Sequence, residues 1–172
     1  VTVVSYLRSP DGYMQSFYNQ FVKDFANRET RTLTTYLAEE NLHFLNTRFL
    51  LEPWCEVFGA DAIRLRLFDQ AIRGPGGIVR DFFTAIGCTA LPEFEDPGIS
   101  VLHKVSLPPD ALEYLRFANP YLTRQEGHHP FVVELVRLGR MHKDQLGATR
   151  AGILSMKSRQ ALRRRFAAQN AW

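Results

Sequence analysis

Hydrophobic and polar positions along this chain change period several times, and each period names an element. The opening run Val1-Thr2-Val3-Val4-Ser5-Tyr6-Leu7 is apolar at consecutive positions and rich in β-branched residues, which predicts an interior parallel strand covered on both sides by helices. Ser9-Pro10-Asp11 then opens a helix, with a serine to cap it, a proline whose φ is already fixed and a carboxylate in the first turn. Tyr13, Phe17, Phe21 and Phe25 recur at helical spacing, and Met14, Tyr18 and Val22 widen that stripe into a core-facing surface; Ser16, Asn19, Gln20 and Lys23 make up the polar face.

The stretch from Asn27 to Thr35 is polar, carries Arg28 and Arg31, and reads as a loop or flap able to reach over a ligand. A second helix is expected from about Leu42 to Phe58, with Pro53 inside it or at a break, and Gly59 ends it. Ile63-Arg64-Leu65-Arg66-Leu67-Phe68 alternates apolar and basic residues, as in a strand with one packed face and one basic, partly exposed face. Gly74-Pro75-Gly76-Gly77 punctuates the chain before an apolar helix from Ile78 to Ile86, closed by Gly87. Thr89 to Leu107 is turn-rich and reads as an ordered wrap-around segment, and helices are expected from Pro108 to Asn119, Phe131 to Leu146 and Lys157 to Gln169. Two strand-to-helix units joined by a helical crossover predict an α/β fold, with a largely helical second half.

Length and composition narrow the picture. At 172 residues the chain suits one domain with a proper core. Cys55 and Cys88 stand far apart without a CxxC spacing, which fits buried thiols of a cytoplasmic protein better than a disulfide or a metal pair. No apolar stretch approaches the roughly 20 residues of a membrane span. The formal charge of +3 comes from arginine more than lysine, which favours bidentate recognition of phosphate, sulfate or carboxylate groups. Arg159 and Arg163-Arg164-Arg165 form the densest basic cluster, read as a solvated helix face.

Candidate chemistry gathers at the first strand. Arg8 stands at its carboxyl end, where open α/β sheets hold their ligands, and Ser9 and the free N–H groups of the helix start add donors. Ser16 lies about two turns along that helix, within reach of the same anion. The plainer reading of Arg8 is an ion pair with Asp11. Asp69, after the second strand, is placed to orient Arg64, Arg66 or Arg73. His43, after Glu39-Glu40, could serve as a base near the acceptor, although a partly exposed helical histidine is the commoner case, and no catalytic residue is assigned; His128, His129 and His142 lack a compact metal-ligand pattern, and no metal is expected. Glu52 and Glu56 share a helix face as surface charge, and Tyr36 and Trp54 are loose candidates for a nucleotide or sugar contact.

The string YLRSPDGYMQSFYNQ resembles the 3′-phosphate-binding segment of the sulfotransferase superfamily, in which a strand ends in arginine, a proline follows and a serine lies eight residues beyond the arginine; Arg8, Pro10 and Ser16 match it. LLEPWCEVFGADAIRLRLFD, the Gly-rich turn, IVRDFFTAIG and RRRFAAQNAW resemble, more specifically, bacterial sulfotransferase-like proteins associated with surface polysaccharide or glycan modification. The resemblance implies transfer of a sulfonate group from 3′-phosphoadenosine 5′-phosphosulfate to a saccharide hydroxyl, with Arg8 and Ser16 gripping the 3′-phosphate, in the cytoplasm.

The family's Gly/Lys/Ser/Thr-rich loop for the 5′-phosphosulfate precedes this segment, and no GxxxxGK[ST] occurs here. The expectation is therefore a P-loop-type parallel sheet flanked by helices and truncated at the N-terminus. It forms a single, partial sulfotransferase-like domain over 1–172, with a helical extension over about 108–172. The rival expectations are a noncatalytic interaction protein on the same fold and a basic nucleic-acid-binding domain; nucleic acid is not the expected partner.

Overall fold

The structure is a computed structural model that describes residues 1–88, 105–146 and 152–170, with backbone alone from 142 to 146. The expected wrap-around segment lies outside the described residues except at 105–107, and so does His103. The chain divides into two compact units, each built from separate stretches: 1–10, 42–88 and 162–170 in the first, and 11–41, 105–146 and 152–161 in the second.

The first unit holds the sheet. Strand β1 (Val3–Leu7) and strand β2 (Ile63–Leu67) pair in parallel, with Val3 opposite Ile63 and Leu7 opposite Leu67. A parallel pair needs a crossover, and the helices α3 (Thr47–Phe58), α4 (Phe68–Arg73) and α5 (Gly77–Ala85) flank it within this unit. Asn46 caps α3 by accepting from the Phe49 N–H at 3.1 Å, and Gly59, at φ 80°, ends it by donating to the Cys55 carbonyl. The expected start at Leu42 is instead a 3₁₀ turn, His43–Leu45. The other α-helices among the described residues are α1 (Pro10–Lys23), α2 (Leu33–Glu39), α6 (Pro109–Ala118), α7 (Gln125–Leu146) and α8 (Met156–Arg165). The architecture is thus a small α/β fold with an open two-stranded parallel sheet, flanking helices and a mostly helical C-terminal half.

The strands are less enclosed than their sequence predicts. β1 is half-buried along its length, and Leu65 and Leu67 are exposed while Arg66 is half-buried. Alternation puts Val4, Tyr6, Arg64 and Arg66 on one face and Val3, Ser5, Leu7, Ile63, Leu65 and Leu67 on the other. The basic face is the one that α5 engages. Asp81 on α5 accepts from the Tyr6 hydroxyl at 2.8 Å and from both Nε and a terminal nitrogen of Arg66, the residue opposite Tyr6 in the register. The bidentate Arg66 bond holds the Asp81 carboxyl below its ordinary range.

In the second unit the deeply buried stripe of α1 is Asp11, Met14, Tyr18 and Val22, one step round from the aromatic row. Tyr13 is exposed, and Phe17 and Phe21 stay half-buried with their rings 4.4 Å apart. Asn19, read as part of a solvated face, is buried. Its amide donates to the Leu107 carbonyl at 3.0 Å and its carbonyl accepts from the Leu107 N–H at 3.1 Å, which satisfies an entering segment that has no ladder partner. α7 begins at Gln125, well before the expected Phe131, and runs through Pro130, which leaves the Glu126 carbonyl without its usual N–H partner. α8 starts at Met156 and gives way to turns after Arg165.

Candidate anion site at the carboxyl edge of the sheet

β1 and β2 run in the same direction and in register, so the residues that follow them arrive side by side although they lie far apart in sequence. Arg8 follows Leu7, and Phe68-Asp69 follow Leu67. The Arg8 guanidinium carbon lies 5.2 Å from the centre of the Phe68 ring, and Arg8 Nε is 3.7 Å from Asp69 Oδ1. That separation is a Coulombic pairing and too long for a hydrogen bond. Arg8 Nε is buried and has no hydrogen-bond partner, while the side chain as a whole keeps 31% of its surface exposed. A guanidinium pinned by a ring, beside a carboxylate it does not grip, retains donors for an incoming anion.

The other expectations fall into place around this one. Asp11, the alternative partner weighed for Arg8, is fully buried and accepts from Arg159 Nε at 2.7 Å. Arg159 therefore does not belong to a solvated basic face. Asp69 faces Arg8, and Arg73 donates to the Asp69 main-chain oxygen; Arg64 and Arg66 bond elsewhere, to the Asp61 carbonyl and to Asp81. Ser16 belongs to the second unit. It stands half-buried on α1, on the side away from the Met14, Tyr18 and Val22 stripe.

The stretch read as a flap is pinned. Arg31 binds Glu29, Glu39 and Glu40 together and covers the Tyr36 ring, and Arg28 donates to the Leu122 carbonyl at 3.1 Å. Neither guanidinium hangs free over a ligand. Tyr36, weighed as a nucleotide contact, is buried edge-on against Tyr18 and Phe21. Trp54 is exposed and stacks on Phe58. His43 sits in the 3₁₀ turn, exposed, against the rings of Phe44 and Phe49, and its aromatic contacts give it no carboxylate or hydroxyl to act through. Glu52 pairs with Arg48 one turn away on the helix surface. Cys55 and Cys88, expected as buried thiols, are both half-exposed. Among the described residues no group of three or more histidine, cysteine or acidic side chains is placed to hold a metal ion.

Sequence reading missed Phe68 as a partner of Arg8 and missed the Tyr6–Asp81–Arg66 cluster. The signal for both lies in the register: once the two apolar runs are paired in parallel, Tyr6 faces Arg66 and Arg8 comes beside Phe68.

No protein-family model and no solved structure matches the chain. An uncharacterized protein of Archaeoglobus fulgidus is similar to it, 26% identical over 121 residues, which is 70% of this chain and 27% of that protein. The chain matches little more than a quarter of that relative's length. Among the described residues no helix is long and apolar enough to cross a membrane.

Proposed function

We propose that the carboxyl edge of the β1–β2 sheet is the 3′-phosphate pocket of a sulfotransferase-type protein of P-loop kind, with 3′-phosphoadenosine 5′-phosphosulfate as donor and a saccharide hydroxyl as acceptor, acting in the cytoplasm. One observation carries the reading: Arg8 stands where α/β sheets take ligands, its Nε is buried without a hydrogen-bond acceptor, and its only described ionic partner is a carboxylate beyond bonding distance. The resemblance of the first twenty residues supplies the chemistry.

In the transfer, the acceptor oxygen attacks sulfur, the bond from sulfur to the phosphate oxygen breaks, the acceptor proton passes to a base and 3′-phosphoadenosine 5′-phosphate leaves. Arg8 acts on the nucleotide rather than on the reacting sulfur. It fixes the nucleotide's orientation, so its worth lies in positioning.

Calorimetry of the 172-residue chain with 3′-phosphoadenosine 5′-phosphate tests this directly. Loss of a charge-assisted, forked contact is worth about 1.5–3 kcal/mol, so Arg8→Ala weakens binding about ten- to a hundredfold, and Arg8→Lys, which keeps the charge without the fork, falls between. Equal affinity in wild type and Arg8→Ala overturns the assignment.

A further inference from the structure

The second unit contains a buried base that the anion site does not use. His128 has 2% of its surface exposed, and its Nε2 has no hydrogen-bond partner. It is the one buried residue in the stretch 123–130, which covers the first turns of α7, so the tertiary anchorage of that helix start rests on this imidazole. The local sequence gives little other support: Gly127 precedes it, Pro130 follows it, and the turn is closed by the bonds of Gly127 and His128 N–H to the Arg124 carbonyl.

The surroundings accept a neutral ring and oppose a charged one. The ring meets Phe25 edge-on, with centres 5.4 Å apart, and the Arg28 guanidinium covers the same Phe25 ring at 4.9 Å. Arg28 is held there by its bond to the Leu122 carbonyl and by a left-handed backbone at φ 43°, which closes the turn after α1. The charged and titratable groups around His128 are Arg28 and Asp24 from that turn and His129 from its own helix. Arg28 and His129 disfavour an imidazolium; Asp24 favours it, but Asp24 is exposed and is engaged by the Asn27 amide. The first turn of a helix disfavours a cation as well. In the imidazolium both ring nitrogens carry protons, so Nε2–H would be a buried donor with no acceptor beside it.

We infer that His128 is an acid-released latch, which holds the first turns of α7 against the turn after α1 while neutral and lets them go when protonated. The sign follows from burial and Arg28, which push its pKa below the ordinary histidine value of 6.5. The unfolded or opened chain takes up a proton as pH falls through that value while the closed form resists, so the closed form loses stability from there downward.

The test is backbone amide hydrogen exchange on the 172-residue chain, expressed as protection factors at about pH 7 and about pH 5. Protection over 24–29 and 125–131 falls about tenfold more in wild type than in His128→Phe, whose ring keeps the edge contact and cannot titrate. A fall of equal size in both proteins overturns the latch. If His128→Phe does not fold, Arg28→Asn serves instead, since asparagine tolerates the left-handed backbone and removes the opposing charge. In that variant the loss of protection between the two pH values shrinks, because the closed form no longer resists the proton as strongly, and a loss as large as that of wild type overturns the proposal.

Discussion

Single side chains carry much of the order in the second unit, and their partners are main-chain atoms. Asn19 answers both polar groups of Leu107, and Asn119 donates to the carbonyls of Val22 at 2.9 Å and Glu29 at 3.2 Å. Asn19→Ala therefore leaves two buried backbone groups unpaired and costs about 2–3 kcal/mol in denaturant unfolding. Lys23 is the opposite case. Its ammonium donates to the Val105 carbonyl and has no carboxylate partner among the described residues, and burial lowers its pKa to about 8. Between that value and the ordinary 10.5 the unfolded chain holds a proton that the folded chain sheds, so this group's penalty is relieved as pH rises through the interval. Unfolding at about pH 7 and about pH 9.5 will show wild type gaining stability relative to Lys23→Met; parallel changes would assign the lysine no such role. Asn19 and Lys23 both fell on the polar face that helical spacing draws for α1. Spacing marks which residues share a side, and it does not say which polar residues find acceptors inside.

At the level of elements, chain punctuation was informative where a residue has one use. Ser9-Pro10-Asp11, Gly59 and Pro108-Pro109-Asp110 each stand within a residue or two of a helix end. The short α4 was missed because the alternating run was read through Phe68, whereas the adjacent apolar pair Leu67-Phe68 breaks the alternation where the strand stops. Gly139 on α7 shows how an element pair sets a residue. A Cβ there would come within 2.8 Å of the Pro108 ring, in front of α6, and within the cleft of about 420 Å³ that Tyr114, Leu135 and Leu138 line with it. Gly139→Ala gains helix propensity yet forces α6 and α7 apart, and we expect a net loss of about 1–2 kcal/mol. The neighbouring Gly127 meets nothing within 4 Å, so Gly127→Ala should be neutral or stabilising and serves as the control.

For the molecule as a whole, sequence distance and spatial distance part company. Asn170 accepts from the Thr47 N–H at 2.8 Å and donates to the Leu45 carbonyl at 3.1 Å, and Leu162 and Phe166 are buried, so the last described residues help to hold the start of α3. Ending the chain before Leu162 should lower the unfolding midpoint of the first unit by more than Asn170→Ala, which alone costs about 1–2 kcal/mol. The α/β class was readable from two apolar runs separated by helical periods. The ion pair of Asp11 with Arg159 was not, because pairing across the chain leaves no local trace.

Parallel pairing also makes the anion site a matter of counting. Arg8 meets Phe68 because both runs reach the same edge after equal numbers of residues from Val3 and Ile63. Deleting one residue early in β2 would reverse the sides of those that follow, sending Arg66 away from Asp81 and leaving Phe68 one position short of its place beside Arg8. A frame one residue short would thus silence the edge while every side chain that composes it was still encoded.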